Sequence, residues 1–289
     1  MQPLLFVESS IICGVQMENV TLGSPACQEN LEIYRESLRL VLGLAAAPGF
    51  SSMVTTQWAE ACTKAAINVL GENYQSRLQT ASGPEMERLF QLANRLMGKI
   101  VSENSPLLHT NLEHATRQLE QIVMNCGPYV HGIFEGVLKT VIIQSWAAFE
   151  ALTRTLWRKV EDSSNASVYR PDDKEWKRSQ LGFGSRRTIR RTYETVFPSD
   201  HATILAALAP QSIDPLAILR NVIVHHAGKL DKTFKDECGQ FPIFAPFQTL
   251  ALDSPIPIDG VLVRDVVNPA ISGGYSLISA VDDWLTRHP

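Results

Sequence analysis

The sequence predicts a mainly α-helical protein, and three observations carry that expectation. Apolar residues recur at three- and four-residue spacing along several stretches, prolines and glycines mark the ends of those stretches, and strand-like segments are short and broken by proline. The clearest stretch is His131 to Val160. There Phe134, Leu138, Val141, Ser145, Phe149, Leu152, Leu156 and Val160 keep one face over about eight turns. Trp146 and Trp157 widen that stripe. The chain has 289 residues, enough for one or two domains, and its 45% hydrophobic and 19% charged content suits a packed globular core.

Charge and cysteine usage narrow the classes. A net charge of −4 argues against a sequence-independent nucleic-acid coat protein, although a local basic site is compatible with it. The five cysteines are scattered, odd in number and form no Cys-x-x-Cys pair, which points to free thiols in a reducing compartment and no structural zinc. The start, MQPLLFVESSIICG, has no basic segment of the secretory kind, and no apolar run is long enough to span a bilayer. A cytoplasmic location without membrane contact is therefore expected.

Taken in order, Leu4 to Val20 suggests a short hairpin. Gln28 to Leu44 carries Leu31, Tyr34, Leu38, Val41 and Leu42 at helical spacing and should stop at Ala-Ala-Ala-Pro-Gly. Thr55 to Leu70 and Pro84 to Val101 are two further amphipathic helices. A polar-faced helix over Pro106 to Met124 comes before the long one. Ser163 to Gly184 is rich in loop formers, with one helical turn expected over Asp172 to Ser179. Ser185 to Val196 then sets Arg186 and Arg190, and Arg187 and Arg191, in i,i+4 pairs with no acid before Glu194. Such a run is either a solvated face or a patch for a phosphate backbone. Asp200 to Leu208 forms a short apolar helix.

Asp214 to Gly228, DPLAILRNVIVHHAG, reads as a helix with both ends marked. Asp214 can cap it, Pro215 suits its first turn, and Gly228 fits a left-handed terminus. Leu216, Leu219, Ile223 and Ala227 share one face, while Asn221 and His225 stack on the opposite one. Arg220, Asn221, His225 and His226 interrupt an otherwise apolar helix. Unpaired burial would cost each on the order of 1–3 kcal/mol, so they form either a satisfied cluster, a wet stripe or a site. Beyond Gly228, prolines limit any strands to short ones around Thr249 to Leu252 and Val261 to Val263. A final helix should start near Asn268-Pro269 and be weakened or bent at Gly273-Gly274.

Arg220-Asn221-Val222-Ile223-Val224-His225 resembles the Arg-Asn-x-x-x-His signature of the HEPN superfamily, helical domains that include many metal-independent ribonucleases. Its surroundings are similar too: a long preceding helix with Phe149-Glu150, a glycine soon after the histidine, and a last helix following a small β excursion. The resemblance implies a HEPN-like helical bundle over 105–289, with 1–104 as an N-terminal mainly helical region. It also implies an endoribonuclease without a cofactor, acting as a toxin or antiviral defence effector. RNA is then the substrate, an antitoxin or regulatory protein the restraint, and a homodimer the working form. Arg220, Asn221 and His225 become the catalytic residues, and Glu150, Arg186, Arg187, Arg190, Arg191 and Lys229 the substrate contacts.

The chemistry suits those side chains. Cleaving RNA without a metal requires activating the 2′-hydroxyl, protonating the leaving 5′-oxygen and stabilising charge on phosphorus. His225 suits a general acid, or a base cycling near neutral pH; Arg220 can fork onto phosphate oxygens; Asn221 can orient the imidazole or the ribose. On an ideal helix Arg220 projects about 140° from His225, leaving one motif copy incomplete. A two-fold dimer would supply the second copy. His226 turns toward the Leu219 side and is expected to be structural. Two other readings stand beside this one. The first is a non-catalytic HEPN interaction or ligand-binding module. The second is a metal-dependent hydrolase using His225 and His226, held back because adjacent helical side chains diverge by about 100° and neither has a carboxylate or histidine four residues away.

Overall fold

The computed structural model describes residues 22–103, 128–162, 181–197 and 202–288, and every regular element among them is helical. The hairpin expected over 4–20, the helix over 106–124 and the helical turn over 172–179 lie outside the described residues.

Helix α1, Pro25–Leu70, is one continuous element where the sequence suggests two. An interior proline removes one backbone hydrogen bond and crowds the preceding turn, but it does not end a helix held on both sides. Here the two halves are held by different cores. Cys27, Leu31, Tyr34, Leu38 and Val41 pack with the C-terminal helices, whereas Ala65, Ala66 and Leu70 pack with Leu89 and Ala93. The second group joins α1 to α3, Gly83–Glu103, past the single turn of α2, Tyr74–Arg77. A boundary at residue 104 therefore does not separate two cores, because the first half of α1 belongs to the larger one.

The start of α1 shows how that half is fixed. Ser24 occupies the cap position without capping through its side chain. Asp282, far along the chain, instead accepts the amides of Gly23 and Ser24, each at 2.8 Å. Cys27 lies against the same carboxylate, and burial followed by that negative charge pushes its thiol up to about 12. Cys27, Cys62 and Cys238 are free thiols.

Helix α4, Pro128–Asp162, matches the apolar rhythm read from sequence: Leu138, Val141, Ser145, Phe149, Leu152, Leu156 and Val160 are all buried. Helix α5, Arg186–Val196, is capped by Ser185, whose hydroxyl accepts from the Thr188 amide while the Thr188 hydroxyl accepts from the Ser185 amide. Helix α6, Ala202–Ala207, leads into α7, Pro210–His226.

Helix α7 begins a turn earlier than expected. Pro210 takes the first helical position, so Asp214 and Pro215 lie inside the helix and Asp214 caps nothing. At the other end Ala227 adopts the left-handed conformation (φ 54°) and Gly228 follows at φ 76°, with the Gly228 amide bonding the Val222 carbonyl at 3.1 Å. Helix α8, Lys232–Cys238, starts at the cap Asp231, and a 3-10 helix spans Pro242–Phe247.

The small β excursion expected before the last helix reduces to one antiparallel bridge, Lys229 with Pro255. Val261 to Val263 belong instead to α9, Gly260–Arg287, which Asp259 caps through the Leu262 amide at 2.8 Å. Burial overrides β propensity here, since Val263, Val266, Val267, Ala270 and Ile271 fall on one helical face inside the core. Gly273 and Gly274 allow close approach. A methyl group on Gly273 would lie 3.1 Å from the Ala207 carbonyl oxygen, and one on Gly274 would lie 2.4 Å from Tyr34 Oη. Helices α4, α7, α9 and the first half of α1 thus share one core, which α5 and α6 close through Tyr193, Phe197 and Ile204. Among the described residues no helix is long and apolar enough to cross a membrane.

Candidate functional site

The C-terminal turns of α7 leave the core with Arg220 half-buried and Asn221, Val224, His225 and His226 exposed. The Arg220 side chain folds back over its own helix. Its Nη1 donates to Asn221 Oδ1 at 3.1 Å and lies 3.5 Å from His225 Nε2. The angular separation read from an ideal helix is therefore bridged by the length of the arginine stem, and the three motif side chains meet within one chain. A guanidinium has no acceptor, so in this contact His225 Nε2 presents its lone pair.

Opposite this corner stand α5 and α8, and between them and α7 lies an open cavity of about 400 Å³. Asn221 and His225 line one side, Arg186, Arg187 and Glu237 line another, and the deeply buried Trp146 reaches it from α4.

Three of the four arginines in the run are paired with acids that residues 185–196 do not contain. Arg190 forks onto Asp214 and also donates from Nε to the Leu208 carbonyl at 2.6 Å. Arg186 contacts Glu237 at 2.7 Å and Asp214 at 3.5 Å, and Arg187 reaches Glu237 at 3.2 Å. These acids come from α7 and α8, which is why no local inspection of residues 185–196 finds them. Asp214 is only 10% exposed and Arg190 23%, so this pair ties α5 to α7. Arg187, at 79% exposure, and the exposed Arg191 remain outward.

Of the other residues expected to touch substrate, Glu150 is half-buried and pairs with Arg154 at 3.2 Å, one turn along its own helix. Lys229 is exposed beyond the end of α7, in the bridge to Pro255. Neither lines the cavity, nor do Arg190 and Arg191, and Arg220 reaches it only through its contacts with Asn221 and His225. The structure thus gathers Arg220, Asn221 and His225, sets Arg186 and Arg187 across from them, and leaves Glu150, Arg190, Arg191 and Lys229 elsewhere.

Asp231 and Glu237, absent from the sequence-based set, join the cavity, and His226 changes character. His226, expected to face inward, is 47% exposed, and its Nε2 lies 3.5 Å from Asp231 Oδ2. Asp231 is fixed as the cap of α8, accepting from the amides of Phe234 at 2.9 Å and Thr233 at 3.3 Å. Burial would raise its carboxyl, but those amides and the His226 charge outweigh burial and hold it below the usual range. Glu237 sits in the last turn of the same helix. The signal that could have found them is Asp231-Lys232-Thr233, an N-cap pattern overshadowed by the short strands expected beyond Gly228. Among the described residues no three His, Cys, Asp or Glu side chains gather as the ligands of a metal would. No family model, curated protein or solved structure matches the chain.

Proposed function

We propose that the chain is a metal-independent endoribonuclease of the HEPN type, acting on cytoplasmic RNA as a toxin or antiviral effector and restrained by a partner protein. The observation that carries this reading is the contact of Arg220 with both Asn221 and His225 at the exposed end of α7, beside the arginine-lined cavity. Arginine, amide and imidazole within one contact group are what transfer at a phosphodiester needs: a fork for non-bridging oxygens, an orienting group and a proton carrier. A homodimer is part of the proposal. Val224 is 44% exposed next to His225, and an isologous contact over it would cover apolar surface while bringing two motif copies to one cleft.

Wild-type protein should cut RNA in excess EDTA. His225→Ala and Arg220→Ala should each slow cutting by about tenfold or more with an unchanged melting temperature, because neither side chain is packed in the core. Specific activity should fall on dilution below the dimer constant. Absence of cleavage would leave a non-catalytic HEPN interaction module, and unfolding of either variant would make the cluster structural.

The outward arginines give a second expected result. Reversing Arg187 and Arg191 to Glu should weaken RNA binding and reduce the slope of log affinity against log salt by about one for each phosphate that is no longer neutralised. The same reversal at Arg186 and Arg190 would break the ties to Glu237 and Asp214 and act on folding instead. An unchanged slope would mark Arg187 and Arg191 as solvated surface.

A further inference from the structure

His225 and His226 are adjacent on α7, yet both line the same cavity, and their partners are opposite in kind. His225 Nε2 faces the Arg220 guanidinium at 3.5 Å, and His226 Nε2 faces the Asp231 carboxylate at 3.5 Å. Hydrogen-bond chemistry fixes what each contact accepts. Arginine only donates, so the His225 nitrogen beside it must carry a lone pair. The second contact is at ion-pair distance and is not a hydrogen bond; an ionised carboxylate only accepts, so it favours the protonated form of the His226 nitrogen beside it. Asp231 is itself held by two backbone amides at the start of α8, which makes it a fixed anchor for the His226 ring.

We propose that His226, oriented by Asp231, is the general acid of the site, and that His225 is its base. The assignment rests on the ribonuclease reading and adds a residue that the Arg-Asn-x-x-x-His pattern does not contain. In the step, Arg220 turns from His225 onto the phosphate oxygens, the Nε2 lone pair it releases takes the proton of the ribose 2′-hydroxyl, and the 2′-oxygen forms its bond to phosphorus. The bond from phosphorus to the 5′-oxygen breaks with its electron pair on that oxygen, and His226 supplies the proton the oxygen needs. Asp231 stays beside Nε2 and balances the imidazolium charge, which leaves the Nδ1 proton for the leaving group. The products are a 2′,3′-cyclic phosphate end and a 5′-hydroxyl end, with one proton lost and one gained by the pair of histidines. Both acid and base then come from a single chain, and the dimer's part is to bring the second chain's Arg220 to the same cleft.

The other groups around His226 are accounted for. Arg186, Arg187 and Glu237 line the same cavity but are engaged with one another, and Glu237 is joined to both arginines. That leaves Asp231 as the carboxylate in contact with His226.

The test uses an RNA oligonucleotide with one cleavable linkage, made with either the natural 5′-oxygen or a 5′-sulfur, which departs without protonation. His226→Ala should slow cleavage of the natural linkage by about a hundredfold or more and be restored close to the wild-type rate on the 5′-thio linkage. His225→Ala should be slow on both, because removal of the 2′ proton is still required. Asp231→Asn retains the cap on α8 and should lower kcat more than it raises KM. Equal loss for His226→Ala on both linkages, or no loss at all, would overturn the assignment while leaving the ribonuclease reading intact. Failure of the wild-type protein to cut either linkage would remove that reading and this proposal together. Unchanged melting temperatures for the three variants separate chemistry from folding.

Discussion

Asp214→Ala should destabilise the protein by about 3–5 kcal/mol, measured as a drop in the urea midpoint at constant slope. The carboxylate is 10% exposed and meets Arg190, at 23%, and Arg186, at 11%. Removing it leaves Arg190 with only the Leu208 carbonyl and takes from Arg186 the more distant of its two carboxylates, and the loss comes mainly from the Arg190 charge left without a counter-ion. Arg190→Ala should approach the same value, since it leaves the carboxylate with only the more distant Arg186 and removes the donor to the Leu208 carbonyl. The paired replacement Asp214→Leu with Arg190→Met should recover most of the stability, because apolar side chains of similar volume need no partner. A paired variant as unstable as the sum of the single ones would mean that shape, not charge, sets this position. Activity offers a second readout. Arg186 shares Asp214 with Arg190, so the single variant should also disturb the cavity wall.

Tyr34→Ala should cost about 3–5 kcal/mol, in the range for removing a large buried aromatic. The ring is 2% exposed and meets Tyr275 edge-on at 5.7 Å. Burial holds its hydroxyl well above the usual tyrosine range, so the group stays neutral. The informative measurement is the coupling with Gly274. A methyl group there would fall 2.4 Å from Tyr34 Oη, 2.6 Å from Cζ and 2.7 Å from Cε1, contacts no rotamer adjustment relieves cheaply. Gly274→Ala should therefore destabilise the wild type by about 1–3 kcal/mol through overpacking. In the Tyr34→Ala background it should become neutral or stabilising, because the ring is gone and alanine is the better helix former by about 1 kcal/mol. Additive effects of the two changes would show that the close approach of α1 to α9 is not what requires glycine.

Local pattern carries the helices as far as pattern can. The α4 stripe is legible because its core positions repeat without interruption, and α5 because Ser185 and Thr188 fall at the start of a helical run. The breaks are less legible. Pro48 looks like a stop and Pro269 like a start, yet both are interior, since each helix has buried faces on both sides of its proline. Val261 to Val263 look like strand and are helix, since burial in the core decides what propensity leaves open. In the site, the gathering of Arg220, Asn221 and His225 is legible from spacing, apart from the reach of the arginine. Glu237 and Asp214 are not, because their meaning lies in pairing with residues 50 and 24 positions away. Asp214 reads as a cap because Asp-Pro imitates a helix start, although the true first residue of α7, Pro210, gives the same proline signal one turn earlier.

The paired arginines bear on how a polyanion would arrive. Arg186, Arg187 and Arg190 face Asp214 and Glu237, so three positive charges are offset by two negative ones, and the whole chain carries −4. Little field extends from this corner into solvent, and at physiological salt a charge is screened within about 8 Å. Encounter with RNA would then proceed without electrostatic guidance, at the roughly 10⁵–10⁶ M⁻¹s⁻¹ of unsteered association. On the ribonuclease reading, an arriving phosphate would have to displace the Glu237 carboxylate from its two arginines instead of filling bare positive space. Small anions gain little from that exchange, whereas a strand held at several points along the groove gains at each. If RNA is the substrate, the ion pairs of this corner would thus select for length and not for charge alone.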